Sequence, residues 1–101
     1  EYSVQTYNVG NTILKADGME LSVDGNSLRL AGKEVDMLSM FMGNPGRTIK
    51  LSQFVERLSD EEEVTRNMVE LYISYLRNKL ESLHANVRID GNAEEGFTLV
   101  V

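Results

Sequence analysis

Apolar residues change their spacing twice along this chain, and each change marks a new kind of element. Near the start they alternate. Tyr2 to Val9 does so imperfectly, Thr12-Ile13-Leu14-Lys15 is short, and Met19-Glu20-Leu21-Ser22-Val23 alternates cleanly. A period of two predicts strands with one buried face. Asp17-Gly18 and Asp24-Gly25-Asn26 predict turns, since Asp and Gly tolerate the backbone that tight turns need, and Asp17-Gly18 sits well as a hairpin. With Ser27-Leu28-Arg29-Leu30 added, the expectation is a four-stranded antiparallel sheet over residues 1–31.

The period then lengthens to that of a helix. From Lys33 to Gly43, Val35, Leu38 and Phe41/Met42 share a face, and Gly43-Asn44-Pro45-Gly46 stops the run. Ala31, before this helix, offers no side-chain oxygen, so its start is expected to lack a cap. Thr48-Ile49 reads as extended. Leu51 to Leu58 reads as a short helix with Leu51, Phe54, Val55 and Leu58 inward and Lys50 or Ser52 near its start. Ser59 to Val64 is an acidic loop, and Thr65 is the expected cap of a long helix reaching Leu83. Within it Val69, Ile73, Leu76, Leu80 and Leu83 recur at spacings of four, three, four and three, one apolar stripe. The opposite side carries Asn67, Leu71, Ser74, Tyr75 and Asn78. Arg66 and Arg77 flank that side, roughly 16 Å apart along the axis. After His84-Ala85-Asn86, Val87-Arg88-Ile89 and Phe97 to Val101 read as strands, with Asp90 to Gly96 as the connecting loop. The fold class is therefore α+β: a sheet (1–31), a three-helix core (32–83) and a terminal hairpin (84–101) in one domain.

Three segments also carry a family resemblance. Asn67-Met68-Val69-Glu70-Leu71-Tyr72-Ile73-Ser74-Tyr75-Leu76-Arg77-Asn78-Lys79-Leu80 resembles the third helix of OmpR/PhoB-type winged-helix effector domains of bacterial response regulators, approximately N-V-V-[DE]-V-[HY]-I-x-x-L-R-x-K-[LI]. Leu30 to Leu38, followed by Asn44-Pro45-Gly46-Arg47-Thr48-Ile49, resembles that family's L-T-x-K-E-x-x-L-L and N-x-G-x-V-[VI]. Gly96-Phe97-Thr98-Leu99 resembles its closing G-Y-x-L. The resemblance implies a winged helix-turn-helix with an N-terminal four-stranded sheet and a C-terminal wing. It also implies a cytoplasmic effector domain that binds double-stranded promoter DNA sequence-specifically, as a dimer on direct repeats, and contacts RNA polymerase to control transcription. The phosphorylated receiver domain is absent from this sequence.

Composition adjusts this picture. At 101 residues, 42% apolar and 26% charged, the chain fits one modest core. No apolar run approaches the roughly 18 residues that span a membrane. The first residue is Glu, so a fragment or a processed chain is expected. There is no cysteine, which excludes disulfides and thiolate metal sites. The formal net charge of −6 opposes the usual electrostatics of DNA binding, where cations meet phosphates. From Asn44 to Leu80 the balance is neutral, with Arg47, Lys50, Arg57, Arg66, Arg77 and Lys79 against Glu56, Asp60, Glu61, Glu62, Glu63 and Glu70.

Candidate chemistry follows. Asn67 and Asn78 suit adenine edges, Leu71 suits a thymine methyl, and Ser74 or Tyr75 a base or sugar. Phosphate positioning falls to Arg47, Lys50, Ser52, Arg66, Arg77 and Lys79, with Tyr72 where the resemblance puts a backbone-facing His or Tyr. Arg77 is expected to be held partly by Glu70 or Glu81 at helical spacing. The wing brings Arg88, Gly91 and Asn92. The family tip, near T-V-R-G-x-G-Y, carries an Arg that this chain replaces with Asn92-Ala93-Glu94-Glu95. Such a wing either stands off the DNA or leaves binding dependent on dimerisation. Asp60-Glu61-Glu62-Glu63 reads equally as a polymerase-facing surface, by resemblance, or as a solvated loop. His84 reads as a cap or surface residue. No catalytic residue, cofactor or metal is expected. The acidic wing and net charge motivate one alternative, a winged-helix protein-interaction module with weak or no DNA affinity.

Overall fold

The computed structural model describes residues 6–59 and 63–101; Tyr2 to Gln5, assigned above to the first strand, lie outside this range. Alternation becomes four antiparallel strands in chain order: β1 (Thr6–Val9), β2 (Thr12–Lys15), β3 (Glu20–Val23) and β4 (Asn26–Arg29). Leu14 faces Leu21 and Thr12 faces Val23 across β2 and β3, and all four are buried, so one sheet face is core. Asp24 (φ 50°) and Gly25 (φ 88°) turn β3 into β4 within two residues, as the Asp-Gly pair predicts. The Asp17-Gly18 connection is wider than expected. The ladder stops at Lys15↔Glu20, and the left-handed position falls on Met19 (φ 54°).

Helix α1 (Gly32–Met42), α2 (Leu51–Leu58) and α3 (Arg66–Ser82) follow. Their inward faces are Val35, Met37, Leu38, Phe41 and Met42; Leu51, Phe54 and Leu58; and Val69, Ile73, Leu76 and Leu80. Val55 is only half-buried. Ala31 gives no side-chain cap, as its missing oxygen predicts, yet the start of α1 is not bare. The Ala31 amide donates to the Glu34 carboxylate (Oε1) at 2.8 Å. The Lys50 amide likewise donates to Gln53 Oε1 at 2.8 Å. In both helices the third residue reaches back to the first exposed amide, one half of a capping box that needs no oxygen at the cap itself. Thr65 caps α3 as expected, its Oγ1 accepting from the Met68 amide at 3.2 Å.

The end of α3 is closed by His84 at φ 61°. Its amide donates to the Glu81 carbonyl at 3.0 Å, and the Ala85 amide donates to Leu80 at 3.0 Å. This is the paired carbonyl closure that usually employs Gly in the left-handed position.

The C-terminal hairpin is part of a three-stranded sheet of order β5-β7-β6: β5 (Thr48–Ile49), β6 (Arg88–Asn92) and β7 (Gly96–Val100). Thr48-Ile49 is thus a strand paired with Thr98 and Phe97. Asp90, Gly91 and Asn92, read above as loop, extend β6, leaving Ala93-Glu94-Glu95 as the turn. Gly91 (φ 114°) faces Phe97, and a Cβ there would fall 2.0 Å from the Gly96 carbonyl oxygen, so no side chain fits.

Aromatic rings join the layers: Phe41 lies 5.2 Å from Phe54, and Phe54 lies 6.5 Å from Phe97. A polar clasp joins the β1–β2 turn to the segment before β6. Asn11 and Asn86 exchange amide-to-side-chain hydrogen bonds of 3.0 and 2.9 Å. The assembly is a winged helix-turn-helix: α2 and α3 form the helical pair, and β6–β7 is the wing beside them.

Candidate nucleic-acid interface

Burial of the Val69, Ile73, Leu76 and Leu80 stripe forces the other side of α3 outward. Asn67, Leu71, Ser74, Tyr75 and Asn78 are all exposed on that arc. Leu71 and Tyr75 are 50% and 44% exposed and lie one turn apart. Tyr72 is half-buried on the flank of the arc, its ring 6.5 Å from that of Tyr75 in an edge-to-face arrangement. Ser74 directs its hydroxyl hydrogen to the Glu70 carbonyl at 3.3 Å, so its donor is engaged within the helix.

Beside this arc, α2 and the wing turn meet. Lys50 and Ser52 from the start of α2, Glu56 from its second turn, Arg66 from the start of α3, and Ala93 and Glu94 from the wing line one shallow groove of about 390 Å³. The α2 start brings the first amides of a helix and Lys50, Arg66 adds a guanidinium, and both suit a phosphate. Glu94 stands in the same groove and opposes it. Asn92 shapes this turn: its Oδ1 accepts from the Glu94 amide at 3.0 Å and the Glu95 amide at 2.8 Å.

Four cations assigned from the sequence to DNA sit elsewhere or serve another partner. Arg77 is exposed, but it is tied to the wing rather than to Glu70 or Glu81. Its Nε donates to the Ile89 carbonyl at 2.9 Å, Nη2 donates to Gly91 at 3.1 Å, and the guanidinium lies 5.6 Å from the Phe97 ring centroid. Lys79 faces the opposite flank, where Nζ makes a 2.7 Å ion pair with Glu34 and donates to the Arg29 carbonyl at 3.4 Å. Glu34 is buried at 2% exposure and needs that charge. Lys79 is therefore engaged by Glu34 at the edge of the core, with its side chain 31% exposed. Arg88 pairs with Val100 at the base of the hairpin, away from the turn, and binds Asp90 at 2.9 Å. Arg47 lies in a separate cleft of about 740 Å³ with Tyr7, Asp36, Gln53 and Arg57, so the structure does not gather it with Lys50, Ser52 and Arg66.

Glu63 is exposed, whereas Asp60, Glu61 and Glu62 lie outside the described residues. Their loop is closed at its base, where Ser59 Oγ accepts from the Val64 amide at 3.0 Å. Sequence reasoning missed Glu34, Gln53, Asn86 and the placement of Glu94. The first two had a legible signal, a Glu or Gln at the third helical position. Among the described residues no helix is long and apolar enough to cross a membrane.

Residues 25–99 match the sequence family described as transcriptional regulatory protein, C terminal. Transcriptional regulatory protein DltR of Streptococcus agalactiae serotype III is 33% identical over 94 residues, covering 90% of this chain and 41% of that protein. The chain thus spans less than half the length of this curated relative. Among solved structures, the DNA-binding domain of E. coli CadC superposes with a TM-score of 0.84 at 24% identity, covering 98% of this chain and 95% of the other. The DNA-binding domain of Klebsiella pneumoniae RstA, in complex with the RstA box, gives 0.75 at 20% identity, covering 95% and 97%. At these identities the likeness is one of fold.

Proposed function

Because this chain belongs to the transcriptional regulatory protein C-terminal family, we propose that it is the effector domain of a two-component response regulator, binding double-stranded promoter DNA sequence-specifically. The observation that carries this reading is the outward arc of α3, where amides, a phenol and an aliphatic side chain stand exposed beside the α2 start and the wing. A helix of this kind enters the major groove and meets base edges. Asn67, Leu71, Tyr75 and Asn78 face bases, and Ser74 lines the groove. Lys50, Ser52, Arg66 and the α2 amides hold the phosphate backbone. Arg77 acts mainly by fixing the wing against α3, and Tyr72 supports Tyr75.

With Lys79 paired to Glu34 and Arg88 to Asp90, few cations per copy remain for phosphate. Binding as a dimer on repeated half-sites offsets that shortage, since two linked contacts multiply. Glu63 is exposed, where a polymerase subunit has access. Promoter binding in a bacterium places the domain in the cytoplasm. Family membership supports this function over the protein-interaction alternative.

The test is selection from random duplexes by this chain, followed by titration of the recovered sites at two salt concentrations. A recurring half-site is expected, with log affinity falling by about 0.9 per neutralised phosphate for each decade of salt. Absence of any enriched site, together with binding that ignores salt, would overturn the proposal.

A further inference from the structure

We infer that the reading helix selects A·T base pairs, using Leu71 and Tyr75 against the 5-methyl group of thymine. The inference rests on the DNA-binding reading above and adds a sequence class to it. Guanine is most often read by Arg or Lys held against its O6 and N7. The exposed arc of Asn67, Leu71, Ser74, Tyr75 and Asn78 contains neither. Two of the three cations adjacent to the arc in sequence are occupied: Arg77 holds the Ile89 and Gly91 carbonyls, and Lys79 holds Glu34. Arg66 lines the groove beside α2 and the wing.

What the arc does offer is complementary to one base pair. The amides of Asn67 and Asn78 match the N6 donor and N7 acceptor of adenine, and thymine on the opposite strand places a methyl group in the same groove. Leu71 and Tyr75 are, with Val101, the large apolar side chains left exposed among the described residues. Covering them with methyl groups removes apolar surface from water on both sides. Ser74 has its hydrogen bound to Glu70 and donates nothing that would favour a guanine acceptor. The wing turn, with Glu94 and Glu95, contributes no cation to the minor groove.

The experiment starts from the half-site recovered with the wild-type chain. Each thymine is replaced in turn by deoxyuridine, which deletes only the methyl group, and affinity is measured for wild type, Leu71→Ala and Tyr75→Ala. Both side chains are surface-exposed, and a thermal melt verifies that each variant is folded. The expected result is about a fourfold loss for each contacted methyl in the wild type, the worth of one methyl group removed from water. That loss disappears in the variant lacking its partner. Unchanged affinity after uracil replacement at every thymine would overturn the inference, as would a half-site whose essential pairs are G·C. Either result leaves sequence-specific DNA binding standing, whereas failure to recover any half-site, together with binding that ignores salt, overturns both readings.

Discussion

The Nε of Arg77 donates to the main-chain carbonyl of Ile89 at 2.9 Å, so the long helix grips the wing through a charged side chain. The same guanidinium reaches Gly91 and lies over Phe97, at the end of the aromatic series that begins at Phe41. One residue thereby orients the hairpin relative to the reading surface.

Arg77→Ala is expected to lower stability by about 1–2 kcal/mol, since its bonds are charge-assisted but exposed to solvent. Binding to all duplexes weakens with it, because the wing is no longer held. Denaturant titration and DNA titration of the same variant check the two effects. Undiminished stability would mean that the wing is oriented without Arg77.

Glu34→Ala removes the acceptor for the Ala31 amide and strands Lys79, and a loss of about 2–4 kcal/mol is expected. Glu34→Gln keeps an acceptor and loses only the ion pair, so its cost is smaller. Lys79→Met should leave the salt dependence of DNA binding unchanged. A shallower salt slope in that variant would restore Lys79 to the phosphate contacts.

His84→Gly is expected to stabilise the fold by about 0.5–1 kcal/mol, because glycine adopts φ 61° without the clash that a Cβ brings. The gain is read as a higher denaturant midpoint with an unchanged slope. A fall in the midpoint would show that the imidazole contributes more than the backbone strain removes.

Gly91→Ala is expected to cost about 2 kcal/mol or more, since the new methyl would meet the Gly96 carbonyl oxygen and the residue sits at φ 114°. Thermal unfolding measures this, and a wild-type melting temperature would contradict the close approach of the two strands.

Replacing both Glu94 and Glu95 by Gln removes two negative charges from the turn that borders Lys50 and Arg66. Affinity for all duplexes should rise several-fold at low salt, with the gain fading as salt screens it. Equal affinity at low salt would show that the wing stands off the DNA.

Periodicity alone made most of the architecture legible. Val69, Ile73, Leu76 and Leu80 identified the buried side of α3, and the exposed arc followed as its complement. Turn chemistry located the β3–β4 hairpin, and Thr65 marked the start of α3. Errors came where several residue types satisfy the same local rule. Met19 took a left-handed position expected of glycine, and Glu34, which was overlooked, closes from the third position a helix start that Ala31 leaves without a side-chain cap.

What the sequence determined by itself was local: element identities, their order, the inward stripes and the family. These depend on spacings within a few residues, where backbone geometry dictates which side chains share a face. What only the tertiary structure decided was which cation serves which partner. Lys79 and Glu34 are 45 positions apart, and Asn11 and Asn86 are 75 apart, so no local pattern announces either pair. Arg77 looked like a phosphate contact because a flanking cation on a helix has the same spelling whether it meets DNA or a neighbouring strand. Packing brings the carbonyls of β6 within reach, and that proximity gives Arg77 its partner.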